Sequence, residues 1–412
     1  MDARVLLLLG LEALFALWLL YRSDLLNTAP RLVFSILLLL AAFTLRALCL
    51  DYQTLDYKDF LSHWVAFYRE NGGFRSFSYP LGNYNIPYMY FLCLFSYLPI
   101  SDLYLIKLLS IFFDVLLAYA SMRLLRTVKQ SETALFACFF MILFLPTVIL
   151  NGALWGQCDS IYVALAVLAV AFAMEDRPIL SVLYFTLSFG FKLQAVFMLP
   201  ILLVFWFQKR MKIWHFLLFP VFYVILVLPA VALGKPFLET LTLYASQTGS
   251  IGDGLNYNSP SIFAIFWHPQ NTEAAASLGI AGAFTWLAFL LLFAFFRRDR
   301  MNGRAILALL LLMAVGIPFL LPHMHDRYFF PADVLSVIFA FAFACPICLV
   351  VTPLTQFASL LGYHAYLKMR YLLYMNHGSR ALIGVIVIAF AGLLWETRAP
   401  DPDEKQKSEI QP

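Results

Sequence analysis

The sequence predicts an all-α protein, a polytopic transmembrane helical bundle of about 11–13 helices at roughly 20 residues per span. Two observations indicate this fold class. The 412 residues are 62% hydrophobic and only 13% charged, which is more apolar surface than a soluble protein can bury. The apolar runs are also continuous rather than alternating, so they favour helices over the strands of a membrane barrel. We expect one membrane domain over 1–396 and a disordered, charged tail over 397–412.

The apolar runs divide into long ones and short ones. The runs of spanning length are 4–21, 32–50, 103–122, 132–150, 160–174, 213–233, 280–296, 305–321, 329–350 and 381–395. The shorter or broken runs are 86–99, 179–207 and 353–372. The net charge of +4 is modest, and it gives no reason to expect nucleic-acid binding. All six cysteines lie in or beside apolar runs, which suggests no external disulfide framework.

The distribution of Lys and Arg predicts the orientation of the bundle. The short loops that include 22–31, 123–129, 177, 209–212 and 297–304 carry 13 basic residues. The loops 51–85, 151–159, 234–278 and 322–328 carry only five. The positive-inside rule therefore places this second set outside the cytoplasm.

Two of the shorter segments then have constrained paths. Segment 86–99 must be interfacial or re-entrant, and segment 179–207 must form two short spans or a hairpin. Lys192 and Gln194 fall near the bend of the second segment. Irregular backbone at membrane depth is tolerated only where it lines a cavity in the protein, so this bend is a candidate site.

The first outer loop carries three carboxylates, Asp51, Asp56 and Asp59. The residues that follow, 57–70, have the apolar spacing of an amphipathic helix that lies on the membrane surface. Asp56 precedes this helix, so it is either an N-cap or a general base that takes a proton from a hydroxyl.

Further along the same loop, Asn83 and Tyr84 stand in a turn-rich passage that is suited to contacts with a sugar. The stretch 151–163 then places Trp155, Gln157 and Asp159 where one apolar run gives way to another. Those three residues could bind sugar hydroxyls, or they could simply cap a helix and anchor it at the interface.

Cationic side chains near the outer face are candidate phosphate ligands. Lys192, beside Gln194, must pair or reach water, and snorkelling is the simple alternative. His325, Asp326 and Arg327 could supply an acid, a base and a phosphate-binding fork, or only an interfacial salt bridge between the last two.

Three weaker features complete the polar inventory. Lys107 could pair with Asp114 or bind a phosphate. The spacing of His323, His325 and an aspartate is compatible with a divalent metal. The sequence Asn256–Ser261 suits a saccharide-binding lid or a plain turn. No Gly-rich phosphate loop is present, so an activated donor at an external site would have to be a membrane lipid.

Taken together, these motifs resemble the GT-C superfamily of membrane glycosyltransferases, in particular prokaryotic mannosyltransferases related to the second mannosyltransferase of GPI-anchor synthesis. The matching pieces run in family order from about residue 32 to residue 335. They are Asp56-Tyr57 with Phe60-Leu61 and Trp64, Gly82 to Tyr88, Leu105 to Leu108 with Asp114, Leu154 to Ser160, Phe191 to Gln194, and His325 to Phe330.

The resemblance implies an inverting transfer of one sugar, mannose, from a polyprenyl-phosphate donor to a glycan or glycolipid acceptor outside the plasma membrane. Its catalytic base falls on Asp56, and Asp326 stands where the family usually has Glu. Lys107, Lys192 and Arg327 could hold the donor phosphate, so no metal is required. Residues 1–31 look like an added anchor helix. A polysaccharide polymerase or ligase, or a flippase for lipid-linked glycans, is the alternative; a transporter is disfavoured because no internal repeat is found.

Overall fold

The computed structural model describes residues 2–82, 84–247, 254–266, 272–368 and 374–398, and almost all of this part of the chain is helical. The prediction of an all-α, polytopic helical bundle is confirmed. Most of the predicted tail, 399–412, lies outside the described residues.

The first half of the chain forms ten α-helices. They are α1 Ala3–Arg22, α2 Ala29–Cys49, α3 Ser62–Glu70, α4 Ile86–Phe95, α5 Asp102–Arg126, α6 Glu132–Phe144, α7 Pro146–Ile149, α8 Asp159–Met174, α9 Pro178–Phe191 and α10 Leu202–Phe207. Two π-helical turns, Tyr57–Leu61 and Leu150–Trp155, lie among them. Short 3-10 turns occupy Gly73–Ser76, Leu193–Phe197 and Leu199–Ile201.

The second half adds nine α-helices and a minimal sheet. The helices are α11 Ile213–Ala232, α12 Phe237–Leu241, α13 Leu243–Gln247, α14 Thr272–Phe296, α15 Gly303–Leu320, α16 Phe330–Phe343, α17 Pro346–Leu349, α18 Val351–Leu367 and α19 Met375–Glu396. Further 3-10 turns span Ile262–Ala264 and Arg298–Arg300. Strands β1 Asn256–Tyr257 and β2 Met324–His325 pair in parallel.

Eight helices of the described part are long and apolar enough to cross a membrane, or nine if the bent pair of α6 with 146–155 is one span. Five shorter apolar helical segments accompany them, among them α4, α8, α9 and α16. The predicted 11–13 crossings are reached only if shorter helices are counted, and these are surrounded largely by protein rather than by lipid.

The helices differ in how much of their surface the protein covers. In the most apolar 18 residues of α5 and α15, 72% and 83% of the residues are buried, whereas in α11 and α14 the shares are 22% and 17%. Since lipid is as apolar as leucine, an outer helix can leave its apolar surface exposed to the bilayer. α5, α8, α15 and α16 thus form the inner part of the bundle.

The two shorter segments that the orientation constrained are irregular. α4 is only ten residues long and is largely buried, which fits an element that does not cross. Helix α9 ends where Lys192 adopts an extended backbone, with φ −154° and ψ 133°, and a 3-10 turn follows. The bend in 179–207 therefore lies at Lys192, as predicted.

Basic loop residues meet at the bundle end that lies opposite the outer loops. Arg126 donates to the carbonyl of Ser23 at 2.7 Å, and Arg123 pairs with Glu175 at 2.7 Å. The same end holds the contact between Lys129 and the carbonyl of Phe341, at 3.0 Å. The loops that the positive-inside rule groups together are therefore neighbours in the fold.

A fully buried ion pair links α2 to α5. The guanidinium of Arg46 donates to Asp114 from Nε at 3.1 Å and from Nη2 at 3.0 Å, and both side chains are shielded from solvent. The hydroxyl of Ser160, on α8, donates to the other carboxylate oxygen at 2.5 Å. The suggested pairing of Asp114 with Lys107 is therefore wrong, because Arg46 from another helix neutralises this carboxylate.

A disulfide bond joins Cys345 and Cys348 at the start of α17. The sequence suggested no disulfide framework, and this single link between neighbouring turns does not staple distant segments. The other cysteines, Cys49, Cys93, Cys138 and Cys158, are free.

We predict that Arg46→Met destabilises the protein by about 3–5 kcal/mol, because it leaves the Asp114 carboxylate buried without its counter-charge. Thermal unfolding in detergent measures the effect. The double variant Arg46→Met/Asp114→Leu should recover most of the loss. Arg304→Ala, at a partly exposed pair with Glu396, should barely change the unfolding temperature. An unchanged unfolding temperature for Arg46→Met would contradict the prediction.

Candidate active site

Three donors from distant parts of the chain meet at the carboxylate of Asp56, and we call this group the Asp56 site. The indole Nε1 of Trp155 donates to Oδ2 at 2.9 Å, and the amide Nε2 of Gln157 donates to the same oxygen at 2.5 Å. The hydroxyl of Tyr366 donates to Oδ1 at 2.8 Å. Three hydrogen bonds fix the position of one partly buried carboxylate.

Asp56 does not cap the helix that follows it. Its backbone is already helical, with φ −56° and ψ −37°, and its side chain makes no capping hydrogen bond. The N-cap interpretation is therefore wrong, and the carboxylate points to other elements instead. The helix over 57–70 is present, although its first turn, Tyr57–Leu61, is a π-turn.

Two further contacts hold the backbone that leads to Asp56. The ammonium of Lys107 donates to the carbonyls of Cys49, Leu50 and Tyr52, at 2.8, 3.0 and 2.6 Å. These carbonyls lie just beyond the end of α2, where helical partners run out. Lys107 thus fixes the start of the outer loop, with one ammonium proton for each of the three carbonyls.

The sequence Trp155-Gly156-Gln157 reaches Asp56 because of its backbone. Gly156 has φ +79°, a conformation that glycine adopts at little cost, and it ends the π-turn Leu150–Trp155. The reversal brings the side chains on both sides of the glycine to the same carboxylate oxygen. Thr54 reinforces the arrangement with a hydrogen bond to the carbonyl of Trp155 at 3.2 Å.

A second polar group, the Asp159 cluster, lies beside this site. The carboxylate of Asp159 pairs with the ammonium of Lys192 and accepts a hydrogen bond from Asn151 at 2.8 Å. Arg327 lies 3.7 Å from its other oxygen and 3.5 Å from Asp326. Lys192 therefore does not snorkel, because the break at the end of α9 brings its ammonium to Asp159.

Arg327 connects the two groups. Its guanidinium carbon lies 5.1 Å from the ring centre of Trp155, the residue that donates to Asp56. Its Nε is buried, lies 3.7 Å from the Asp159 carboxylate and makes no hydrogen bond among the described residues. A buried guanidinium N–H without a partner is costly, so this atom is suited to an anionic ligand.

The loop that carries Arg327 is held by the short sheet. Asn256 pairs with Met324 and Tyr257 with His325, and the Tyr257 and His325 rings stack at 4.8 Å. Burial, aided by the positive charge of Arg327, lowers the pKa of His325 to about 4, so this imidazole is neutral at physiological pH. The segment Asn256–Ser261, which the sequence suggested as a lid or a turn, thus supports this loop through the pairing of β1 with β2.

Burial raises the pKa of Asp326 to about 7, although the adjacent Arg327 opposes this shift. Asp326 is thus partly protonated near neutrality, unlike an ordinary surface aspartate. The predicted salt bridge to Arg327 is present, but it is long and shared with Asp159.

The remaining predicted residues join the site to different extents. The hydroxyl of Tyr84 donates to Gln157 at 3.2 Å, so Tyr84 supports the Asp56 site, whereas Asn83 lies outside the described residues. Asp51 is exposed and accepts from Tyr104 at 2.7 Å.

Two more predicted residues stay apart from both groups. Asp59 is exposed, and its carbonyl contacts the ring of His63 at 3.1 Å. Gln194 forms no side-chain hydrogen bond within the part of the chain that the structure describes.

The histidines of the 322–328 loop do not converge with an aspartate. Nδ1 of His323 contacts the carbonyl of Gly254 at 2.7 Å, and His325 stacks on Tyr257. Across the described ranges, no group of three His, Cys, Asp or Glu side chains has the arrangement of a metal site. The geometry here brings the Asp56 carboxylate near two cations, Lys192 and Arg327, instead.

Tyr366 is the site residue that sequence reasoning missed. It lies on α18, in a run that the sequence marked as broken, and a tyrosine near the end of a membrane helix is ordinary. Its ring stacks on Trp155 with centres 3.8 Å apart. Only the folded chain brings it to Asp56, from which it is 310 residues distant in sequence.

A model described as glycosyltransferase family 87 matches residues 83–321, more than half of the chain. The chain belongs to glycosyltransferase family 87. With its apolar helices, it is an integral membrane protein with the transferase activity of EC class 2.4. A comparison with curated proteins found no match.

The family-87 match confirms the prediction of a membrane glycosyltransferase. The matched range contains Trp155, Gln157, Asp159 and Lys192. Asp56, Arg327 and Tyr366 come from flanking segments, and the fold brings them to the matched part.

We predict that Asp326 makes the stability fall as pH rises. Its pKa is raised to about 7, above the roughly 4 of an unfolded aspartate, so the folded state binds more protons between these values. The favourable contribution is complete below about pH 4 and is lost as pH rises towards 7. As pH rises from 5 to 8, the unfolding temperature of Asp326→Asn should increase relative to that of wild type. Parallel curves for the two proteins would contradict this assignment.

Proposed function

We propose that this family-87 enzyme transfers one sugar, mannose, from a polyprenyl-phosphate donor to a glycan or glycolipid acceptor outside the cytoplasm. In this proposal Asp56 is the general base, and the reaction inverts the anomeric centre. The single observation that carries the proposal is the Asp56 carboxylate, fixed by three donors, beside the cationic Asp159 cluster.

The hydrogen bonds to Asp56 support its role as a base. Trp155 and Gln157 both donate to Oδ2, at 2.9 and 2.5 Å, and they hold the carboxylate in one orientation. A carboxylate so fixed can take the proton of an acceptor hydroxyl as that oxygen attacks. Asp51 and Asp59 lack such support, and Asp159 is occupied by its own cations.

Charge supports a phosphate ligand next to this base. Lys192 and Arg327 carry two positive charges against the single negative charge of Asp159. While the neighbouring Asp326 is protonated, one positive charge remains in this cluster, and it matches the single negative charge of a sugar phosphodiester. As the sugar leaves, charge builds on the phosphate oxygen, and fixed cations at that position lower the barrier.

A resident metal is not part of the proposal. The two cations can neutralise the phosphate, and the Nε of Arg327, which makes no hydrogen bond among the described residues, can donate to one of its oxygens. A lipid-linked donor reaches an external site through the membrane, whereas soluble nucleotide sugars of the cytoplasm do not.

The external location rests on the charge asymmetry of the bundle. The basic loops gather at one end, through contacts such as Arg126 with Ser23 and Arg123 with Glu175. The Asp56 site lies near the other ends of the same helices, which the positive-inside rule directs away from the cytoplasm. We place the enzyme in the plasma membrane with this site outside.

We predict that Asp56→Asn lowers transfer from polyprenyl-phosphate-mannose by about 10²–10⁴-fold, the usual contribution of a general base. The donor should still raise the unfolding temperature of the variant, because the amide leaves Lys192 and Arg327 in place. Transfer is measured with radiolabelled donor in detergent.

Glu70→Gln is the matched control, since it makes the same carboxylate-to-amide change at an exposed position of the same loop. It should keep wild-type activity. Retained activity in Asp56→Asn, with loss in Asp51→Asn or Asp159→Asn, would assign the base elsewhere. No turnover by folded protein with any polyprenyl-phosphate sugar would refute the proposed donor.

The proposed orientation predicts which loops react with an impermeant maleimide on intact cells. In a Cys49→Ser background, Glu70→Cys should react directly, because Glu70 is exposed in the first outer loop. Gln130→Cys, exposed beside the basic loops, should react only after permeabilisation. The reverse pattern would place the Asp56 site in the cytoplasm.

A further inference from the structure

We propose that the Tyr366 hydroxyl occupies the position of the acceptor hydroxyl on Asp56, and that the acceptor must displace it. The inference rests on the proposed function, since it assumes that Asp56 is the base. It assigns to Tyr366 the role of a placeholder that keeps water away from the base until an acceptor binds.

The two oxygens of the carboxylate are not equivalent. Oδ2 already accepts two N–H groups, from Trp155 and Gln157, which use both of its lone pairs. An acceptor hydroxyl must therefore approach Oδ1. The Tyr366 hydroxyl, at 2.8 Å, is the side-chain donor at that oxygen, and it takes one of the two lone pairs of Oδ1.

The contacts of Tyr366 are those that a sugar hydroxyl would make. Its O–H donates to Oδ1, and its oxygen accepts the backbone N–H of Asp56 at 3.3 Å. Indole and amide N–H groups can only donate, whereas a hydroxyl does both. The position is thus adapted to a hydroxyl group, and the distance to Oδ1 is within the range needed for proton transfer.

Tyr366 is the least buried of the three donors to Asp56. Trp155 and Gln157 are each only 1% exposed, whereas Tyr366 is partly exposed. Tyr366 also borders a cavity of about 160 Å³, lined by Tyr52, Gln53, Thr54, Leu55, Tyr366 and Leu367. An acceptor in this cavity would lie against Tyr366, whose hydroxyl is 2.8 Å from Oδ1 of Asp56.

The reaction then follows displacement. The acceptor oxygen bonds to the anomeric carbon of the donor sugar, and its proton passes to the Asp56 carboxylate. The bond between that carbon and the phosphate oxygen breaks, and the phosphate keeps the electron pair. With no acceptor present, Tyr366 competes with water for Oδ1, which slows hydrolysis of the donor.

The test is hydrolysis of polyprenyl-phosphate-mannose without an acceptor. Tyr366→Phe keeps the ring that stacks on Trp155 but removes the hydroxyl, so water gains access to Oδ1. We expect hydrolysis to rise about tenfold, the effect of roughly 1.4 kcal/mol from one hydrogen bond to a charged group. Tyr366→Leu, which also lacks the hydroxyl, should raise it as well.

Tyr363→Phe is the matched control on the same helix. Its hydroxyl accepts from Asn151 at 2.8 Å, and its ring packs edge-on against Trp155. It should not raise hydrolysis. Unchanged or slower hydrolysis in both Tyr366 variants, or an equal rise in Tyr363→Phe, would overturn the placeholder role.

A second arm uses an alkyl mannoside as the acceptor probe. Tyr366→Phe should lower the apparent KM for this probe about threefold to tenfold, because the probe no longer competes with the tyrosine. A tenfold loss of kcat at constant KM would instead show that Tyr366 positions Asp56 during catalysis. If Asp56→Asn retains full transfer, the proposed base fails; if only the Tyr366 results differ, this inference alone fails.

Discussion

Neutralisation of Asp159 is the constraint on which the outer half of the molecule depends. A carboxylate buried in a membrane protein must be paired, and here the partners come from the break after α9 and from the 322–328 loop. The ion pair therefore fixes the end of α9, the first turn of α8 and the loop of Arg327 relative to one another. The same cations would give the site its capacity for an anionic donor, so structure and the proposed chemistry rest on one set of charges.

The Asp56 site depends on this ion pair for its position. Trp155 and Gln157 precede Asp159 by only a few residues, so the turn at Gly156 that orients them is attached to the ion pair. Arg327 in turn covers the indole of Trp155. A substrate that changes the contacts of the Asp159 cluster would therefore be felt at the base, and donor binding would be coupled to the position of Asp56.

The sequence predicted much of this site because polar residues are costly in apolar surroundings. Asp159 and Lys192 stood out for that reason, Asp56 was singled out by the resemblance, and the structure brings the three close together. It could not predict which partners they choose. Asp114 was matched to the nearest cation in sequence, whereas the fold pairs it with Arg46 of another helix.

Fold class needed only composition and the length of the apolar runs, and it was correct. Shorter helices such as α8 and α16 were harder to count, because a helix that is surrounded by protein need not match the bilayer thickness. Tyr366 carried no signal, since tyrosine at a helix end has an ordinary interfacial explanation. Residues whose chemistry is common at a membrane interface become visible only through three-dimensional contacts.

The most direct test of the central claim is a structure of the protein with a non-hydrolysable polyprenyl-phosphonate mannose analogue. The account predicts that the phosphonate contacts Lys192 and Nε of Arg327, and that the anomeric carbon faces the Asp56 carboxylate on the side opposite the phosphonate. A phosphonate bound at the basic end of the bundle, or an anomeric carbon remote from Asp56, would contradict it.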